Sequence, residues 1–510
     1  MGIKTEEVIN IKQTLISING DIEEINLRID SLEEKLNAHI DDVVSNSLSP
    51  SISPSASKSP SISPSASKSP SVSPSASPSS SISASPSPSV RPSWQEIKNY
   101  VEGDTIDNGE VLVLDGVYAS EETITFPADR KITVSGDVTI DLIKPAFLVR
   151  GGGRLTGVTF NTSVNLSALE TFGLDWRVDH CKYNNTAYDK QGIFVYSPGG
   201  FINGDPCRGL IDNNRVISGK ILPTGYGNPV AHENESKMWL EPTGLGKYNT
   251  VYIEDNQFSI GPWDSPINDA GNCVDTNYGG SYVFRYNEVR QAYVEAHSYQ
   301  KCDSRGTRRW EIYGNKITSY GNLSWVGCSI RGGTGVIWGN DFTPAGSPYN
   351  FDINFDNVRS VSDIGSFCGK CNGESIVDGN IDINGWPCRD QIGRGQDVFL
   401  WKYWEEGVPV PKQASEPVYC WLNRDTGNVV NVNVKPDFQP YIQPNRDYFN
   451  EVDNFDGSVG VGVGLKSDIL SGVNFGVAYW ATEEQTLYKY TENGWEVFYT
   501  PYIYPHPLRT

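Results

Sequence analysis

The sequence is poor in cations, in methionine and in long apolar runs. Its 510 residues include 41 Lys+Arg against 62 Asp+Glu, a net charge of −21, with only two Met and five His. Too few cations argue against a nucleic-acid partner, because that affinity comes from Lys and Arg set against phosphates. They also argue against docking to an anionic membrane surface. No window of about 18 apolar residues occurs, so no membrane insertion is expected. The opening residues lack an apolar h-region, so no secretory signal is expected either.

Cysteine is present but does not form a dense, even framework. There are nine: Cys181, Cys207, Cys273, Cys302, Cys328, Cys368, Cys371, Cys388 and Cys420. Cys368 and Cys371 make one CxxC, and no second CxxC completes a four-thiolate zinc site, although Cys388 or Cys420 could join it. Buried free thiols or a single disulfide are expected, with no metal and no cofactor.

What is present divides the chain by composition. Residues 1–45 carry a heptad pattern, with Val8, Leu15, Ile22, Ile29, Leu36 and Val43 at a, and Ile11, Ile18, Ile25 and Leu32 at d. Charged flanks such as Glu23, Glu24, Arg28 and Lys35 complete a coiled-coil signature. Ile at both a and d favours three or four strands over two, and a homotrimer is expected. His39 takes the last d position and reads as a polar residue at a fraying end. Residues 46–92 repeat Ser-Pro-Ser-Ile/Val-Ser-Pro-Ser-Ala-Ser-Lys/Pro. Frequent Pro forbids helix and sheet, and Ser supplies no core, so this is a spacer. Extended, it would reach about 140 Å.

Residues 93–390 change character. After a short helix expected at Trp94–Val101 come β-branched runs punctuated by Gly and Asp: Val111–Ala119, Thr123–Pro127, Lys131–Gly136 and Val138–Leu142. An Asn recurs just before an apolar position at Asn214, Asn256, Asn287, Asn315, Asn340 and Asn380. The regular middle spacings suit one turn of a stacked β-solenoid, with Asn at a corner because it tolerates left-handed backbone. These corners, with the opening Gly103-Asp104 and Val113-Leu-Asp-Gly-Val-Tyr118, resemble the right-handed parallel β-helix of the pectate-lyase-like superfamily. The layout of stem, spacer, β-helix and tail also resembles bacteriophage tail spikes and tail fibres.

Residues 391–510 read as a small C-terminal β region covering the open end of the solenoid. The glycine run at Gly457–Gly464 lacks a following helix and is not a phosphate loop, and Asn493-Gly494 marks a hairpin. The expected class is therefore mainly β: a parallel β-helix with an N-terminal coiled coil, a disordered Ser/Pro linker and this terminal cap.

In a stack, equivalent positions of successive rungs lie about 4.8 Å apart. Aligning Met238–Glu241, Asn272–Asp275, Glu295–His297 and Ser329–Arg331 puts Glu241, Asp275, His297 and Arg331 in one column. Lys301, Arg305, Arg308 and Arg309 follow on the next loop. Such a column could perform acid–base work on a polysaccharide, or could be a salt-bridged face. Glu241 and Asp275 would serve hydrolysis; His297 or an Arg, with Arg331 holding a uronate carboxylate, would serve β-elimination. Trp263 and Tyr278, on loops, are the aromatic candidates for sugar contact, with Lys301 and Arg305 as cationic ones. Trp310 and Trp338 are expected in the core, and His180 is expected to be structural because adjacent strand residues in Asp179-His180-Cys181 diverge.

The resemblance implies a homotrimeric virion-surface appendage, active outside the cell, that contacts a host cell-surface glycan and joins a virion attachment protein through its N-terminus. A polysaccharide depolymerase on the same scaffold, lyase or glycoside hydrolase, is the enzymatic alternative. A purely structural virion fibre, on the head for example, is the second alternative, and a cellular adhesin a weaker one.

Overall fold

The computed structural model describes residues 91–510 except 104–105, 165, 188–191, 199–200, 203–204, 225–237, 241, 264–270, 299–304, 321–325, 346–352, 357–389 and 398–412. The coiled coil and spacer expected before residue 91 lie outside the described residues. So do Cys302, Cys368, Cys371 and Cys388.

Three long parallel sheets dominate. The first runs through strands Val111–Val113, Thr133–Ser135, Arg154–Thr156, Leu174–Asp179, Arg208–Asp212, Val251–Glu254, Ser281–Arg285, Arg309–Tyr313, Thr334–Trp338, Val418–Trp421 and Tyr448–Asn450. The second and third sheets take up the strands that follow each of these, so consecutive strands fall in different sheets and every third strand pairs. The order is compatible with a β-helix. Neighbours such as Val251–Glu254 and Ser281–Arg285 pair in parallel without slippage.

Alternation builds the interior. Ile211, Ile253, Phe284, Ile312 and Ile337 of the first sheet meet Val274, Val294, Cys328 and Ile353 of the third inside one apolar cluster. Trp310 lies there too, fully buried, as its sequence position suggested. At one end the helix Trp94–Glu102 contributes Trp94, Ile97 and Val101 to that cluster. Its start is fixed by a capping box in which Ser93 and Glu96 satisfy each other's backbone N–H. At the other end Phe438 and Ile442 join the interior.

The corners between first and second sheets carry an asparagine ladder. Each side-chain Oδ1 accepts from the backbone N–H of the Asn one coil earlier: Asn256 from Asn214, Asn287 from Asn256, Asn315 from Asn287 and Asn340 from Asn315, at 2.9–3.1 Å. The residue after Asn340 in this ladder is Asn423, at 3.3 Å, not the expected Asn380, which lies outside the described residues. The stack also runs past the boundary expected at residue 390. Val418–Trp421, Arg424–Asp425 and Val432–Val434 form one more coil, and Tyr448–Asn450 adds a further strand.

The C-terminal region lies mainly along the flank of the first sheet and not over the open end. Strands Val461–Gly464, Ala478–Ala481, Thr486–Thr491 and Gly494–Tyr499 make a small sheet, with the expected hairpin at Asn493-Gly494. It packs on Val336, Tyr419, Trp421 and Phe449, which point outward from the first sheet. Trp338, expected in the core, stands instead in this outer layer, stacked between Tyr313 at 4.7 Å and Trp421 at 5.6 Å. Register explains it: Tyr313, Trp338 and Trp421 are in line, one position after the inward Ile312, Ile337 and Cys420.

The same outward column continues as Arg285, Glu254, Asp212 and Asp179. A C-terminal strap, Tyr502–Arg509, covers it. Arg285 pairs with Glu254 at 2.6 Å and donates to the Tyr502 and Ile503 carbonyls, while Arg177 donates to those of Leu508 and Arg509. Arg509 reaches Glu254 at 2.7 Å. The strap covers the outer face of the middle strands of the first sheet, which is why these charged side chains are almost inaccessible.

Candidate functional site

The outer face of the third sheet carries the most concentrated chemistry of the expected column. Strands Gly219–Thr224, Gly271–Val274, Ala292–Ala296 and Cys328–Ile330 lie side by side. Val274, Val294, Ala296, Cys328 and Ile330 point inward, so their alternates Asp275, Glu295, His297 and Arg331 point outward. Ala296 pairs with Ile330, which sets His297 beside Arg331.

His297 stands between two carboxylates. Its Nδ1 is 3.1 Å from Asp275 Oδ1, and its Nε2 is 2.8 Å from Glu295 Oε1. Lys220 Nζ approaches Asp275 Oδ2 at 3.2 Å, Arg331 pairs with Glu295, and Asn272 donates to Glu295 Oε2 at 2.5 Å. All three of Asp275, Glu295 and His297 are more than nine-tenths buried. Burial pushes the Asp275 carboxyl up, but the charges of His297, Lys220 and Arg331 outweigh it and hold the group below its usual range. Carboxylate oxygens thus face both ring nitrogens, although Asp275 Oδ1 is not hydrogen-bonded. The site is a buried ionic cluster in which two carboxylates face Lys220, Arg331 and the imidazole of His297.

The donor set could also hold an ion, because one ligand atom from each of Asp275, Glu295 and His297 lies within 4.8 Å of the others. A cation there would compete with Lys220 and Arg331 for the same oxygens. The residues fit an ionic cluster better than a metal centre. An oxygen of Asp275 and one of Glu295 lie within 4.8 Å of each other, closer than the roughly 6.5–9.5 Å between the carboxyls of inverting glycosidases.

Not every expected residue belongs. Asp275, His297 and Arg331 converge. Glu241 and Lys301 lie outside the described residues. Met238–Leu240 is a helical turn and not a rung, with Trp239 buried under the guanidinium groups of Arg305 and Arg308 at 4.7 and 5.3 Å. The neighbouring rung is supplied by Lys220 instead. Arg305, expected to contact substrate, is buried and forms a bidentate pair with Asp390, whose other donors are Gly306 N–H and Gln413. A guanidinium held this way serves the framework. Trp263 faces the second sheet's side, with Arg290 3.9 Å and Arg215 5.6 Å from its ring centre. Tyr278, three residues beyond Asp275, has left-handed backbone at φ 53° and is half-buried.

Two members were missed as such. Glu295 is two residues before His297 on one strand, a spacing that puts both on the same face. Lys220 comes from a strand that the sequence alignment passed over. Asp179 and His180 do touch, Nδ1 to Oδ2 at 2.6 Å, contrary to expectation, because His180 turns the chain at φ 54° instead of continuing the strand. The five described cysteines are buried, and no disulfide joins any two of them.

No family model matches the chain, and no curated protein sequence matches it.

Proposed function

We propose that the chain is a trimeric appendage of the phage tail-spike or tail-fibre type that recognises a host-surface polysaccharide. On this reading the stack is a right-handed, pectate-lyase-like β-helix, the heptads trimerise the stem, and the Ser/Pro spacer separates head from anchor. The observation that carries the reading is a stack of parallel coils preceded by heptads and a Pro-punctuated spacer in one chain. Three joined heads would multiply weak glycan contacts through effective concentration. The test is adsorption: purified protein should compete with particles for host cells. Full adsorption by particles lacking the protein would leave a structural fibre.

The buried Asp275–His297–Glu295 arrangement favours a second reading, cleavage of that polysaccharide. In β-elimination a cation neutralises the uronate carboxylate, a base takes the neighbouring carbon-bound proton, a C=C bond forms as the glycosidic C–O bond breaks, and the leaving oxygen takes up a proton. In hydrolysis one carboxyl protonates the leaving oxygen while the other stabilises or attacks the anomeric carbon, and water then adds at that carbon, giving up its proton to the first carboxyl. Asp275→Asn, Glu295→Gln and His297→Asn should each lower cleavage of a capsular or exopolysaccharide by at least a hundredfold while leaving circular dichroism unchanged. Neither new reducing ends nor unsaturated uronate from the parent protein would reject catalysis and leave recognition alone.

A further inference from the structure

A second place on the molecule has the chemistry of a ligand site. Where the small C-terminal sheet meets the outer face of the first sheet there is an open cleft of about 530 Å³. That is the size of a small-molecule site. Its walls come from the starts of the last two first-sheet strands and from the hairpin around Asn493. It lies far along the chain from Asp275 and shares no residue with that cluster.

Two features of the cleft go together. Phe475 is 71% exposed, and its ring stacks on Tyr490 at 5.9 Å with 18° between planes. Trp495 braces Tyr490 edge-on at 5.3 Å, so the pair is a rigid, solvent-facing platform. An aromatic face attracts the C–H-rich face of a pyranose, because the ring face is negative and the C–H bonds are positive at hydrogen. Beside the platform stands Lys489, half-buried, with its ammonium 5.6 Å from the Phe498 ring. Among the described residues no carboxylate lies within ion-pair distance of that ammonium. Arg446 adds a second cation to the wall, already held by Asp447 at 2.6 Å and by the Tyr441 carbonyl. The lining therefore carries two cations, Lys489 and Arg446, against one carboxylate, Glu492, in a chain of net charge −21. Asn445 and the exposed Glu492 at the hairpin supply acceptors for sugar hydroxyls.

We propose that this cleft binds an acidic saccharide unit, with the pyranose face on Phe475 and Tyr490 and its carboxylate on Lys489. The inference rests on the glycan-recognition reading and names its substrate class. It gives the C-terminal sheet a binding role separate from the Asp275 cluster.

The experiment uses the full chain on an array of oligosaccharides bearing uronate, sialate or pyruvate-ketal carboxylates, each beside its neutral counterpart. Binding should be confined to carboxylate-bearing spots. Phe475→Ala and Lys489→Gln should each reduce it at least tenfold, and Lys489→Arg should retain most of it. Both residues lie at the surface or its margin, and circular dichroism will verify that the three variants fold. Binding that survives both substitutions, or that ignores the carboxylate, overturns the cleft and leaves glycan recognition standing elsewhere. Absence of binding at every spot overturns both.

Discussion

Acid should loosen the C-terminal strap before it unfolds the stack. His506 is 1% exposed and sits among Tyr248, Tyr252 and Tyr502, with ring centres at 4.8–5.5 Å. Its Nδ1 accepts a hydrogen bond from the Leu508 N–H, a role that requires that nitrogen to be unprotonated. The His506 backbone N–H donates to Glu254. Burial, followed by the nearby charges of Arg285, Arg509 and Arg177, depresses the imidazole to about 3 from an ordinary 6.5, with Asp175 opposing weakly. Between those two values the released strap holds a proton that the docked strap refuses. Docking is therefore fully favoured above about 6.5 and weakens as pH falls towards 3. From pH 7 to pH 5 the loss comes to about 2 kcal/mol, or about a 25-fold rise in the open population. Amide exchange across Tyr502–Arg509, corrected for the intrinsic pH dependence of exchange, should record it. The third sheet should keep its protection over the same range. His506→Gln should remove the acid response. Protection that does not change between pH 7 and pH 5, or an unchanged acid response in the variant, would refute the argument.

Other perturbations test the framework. Asn287→Ala removes the acceptor of the buried Asn256 N–H and the donor to Ile253 and Arg285 carbonyls. It should cost about 3 kcal/mol in chemical denaturation, since each buried orphan costs roughly 1–3 kcal/mol; a loss under about 1 kcal/mol would deny the ladder its energetic role. Ile22→Asn with Ile25→Asn should yield single heads in analytical ultracentrifugation, and persistent trimers would move the association to another region.

The parts of the fold legible in the sequence were those that repeat. Asn214, Asn256, Asn287, Asn315 and Asn340 mark corners by a residue type that the backbone conformation demands. The next rung was not legible, because Asn380 imitates the pattern while the chain makes a long excursion before Asn423. Trp338 was placed in the interior because sequence alternation distinguishes two faces without saying what covers the outer one. The C-terminal sheet that covers it is more than a hundred residues away. For the site, Asp275, His297 and Arg331 were found by aligning segments that end in a polar residue after an apolar one. The register shifts at Asn272–Val274, and Asp275 just beyond it meets His297 and Lys220. Arg305 had the composition of a ligand contact, and only the distant Asp390 reveals it as a tie within the framework.

The asparagine corners have a further consequence. Successive members are separated in sequence by anything from 25 to 83 residues, yet the side-chain amide contacts between them stay at 2.9–3.1 Å. Corner geometry is thus insulated from the length of whatever is inserted between coils. Excursions could lengthen, shorten or be exchanged without retuning the scaffold, much as cards are swapped in a rack whose slots are fixed. A molecule built this way can alter the surface it presents while its frame stays as it is.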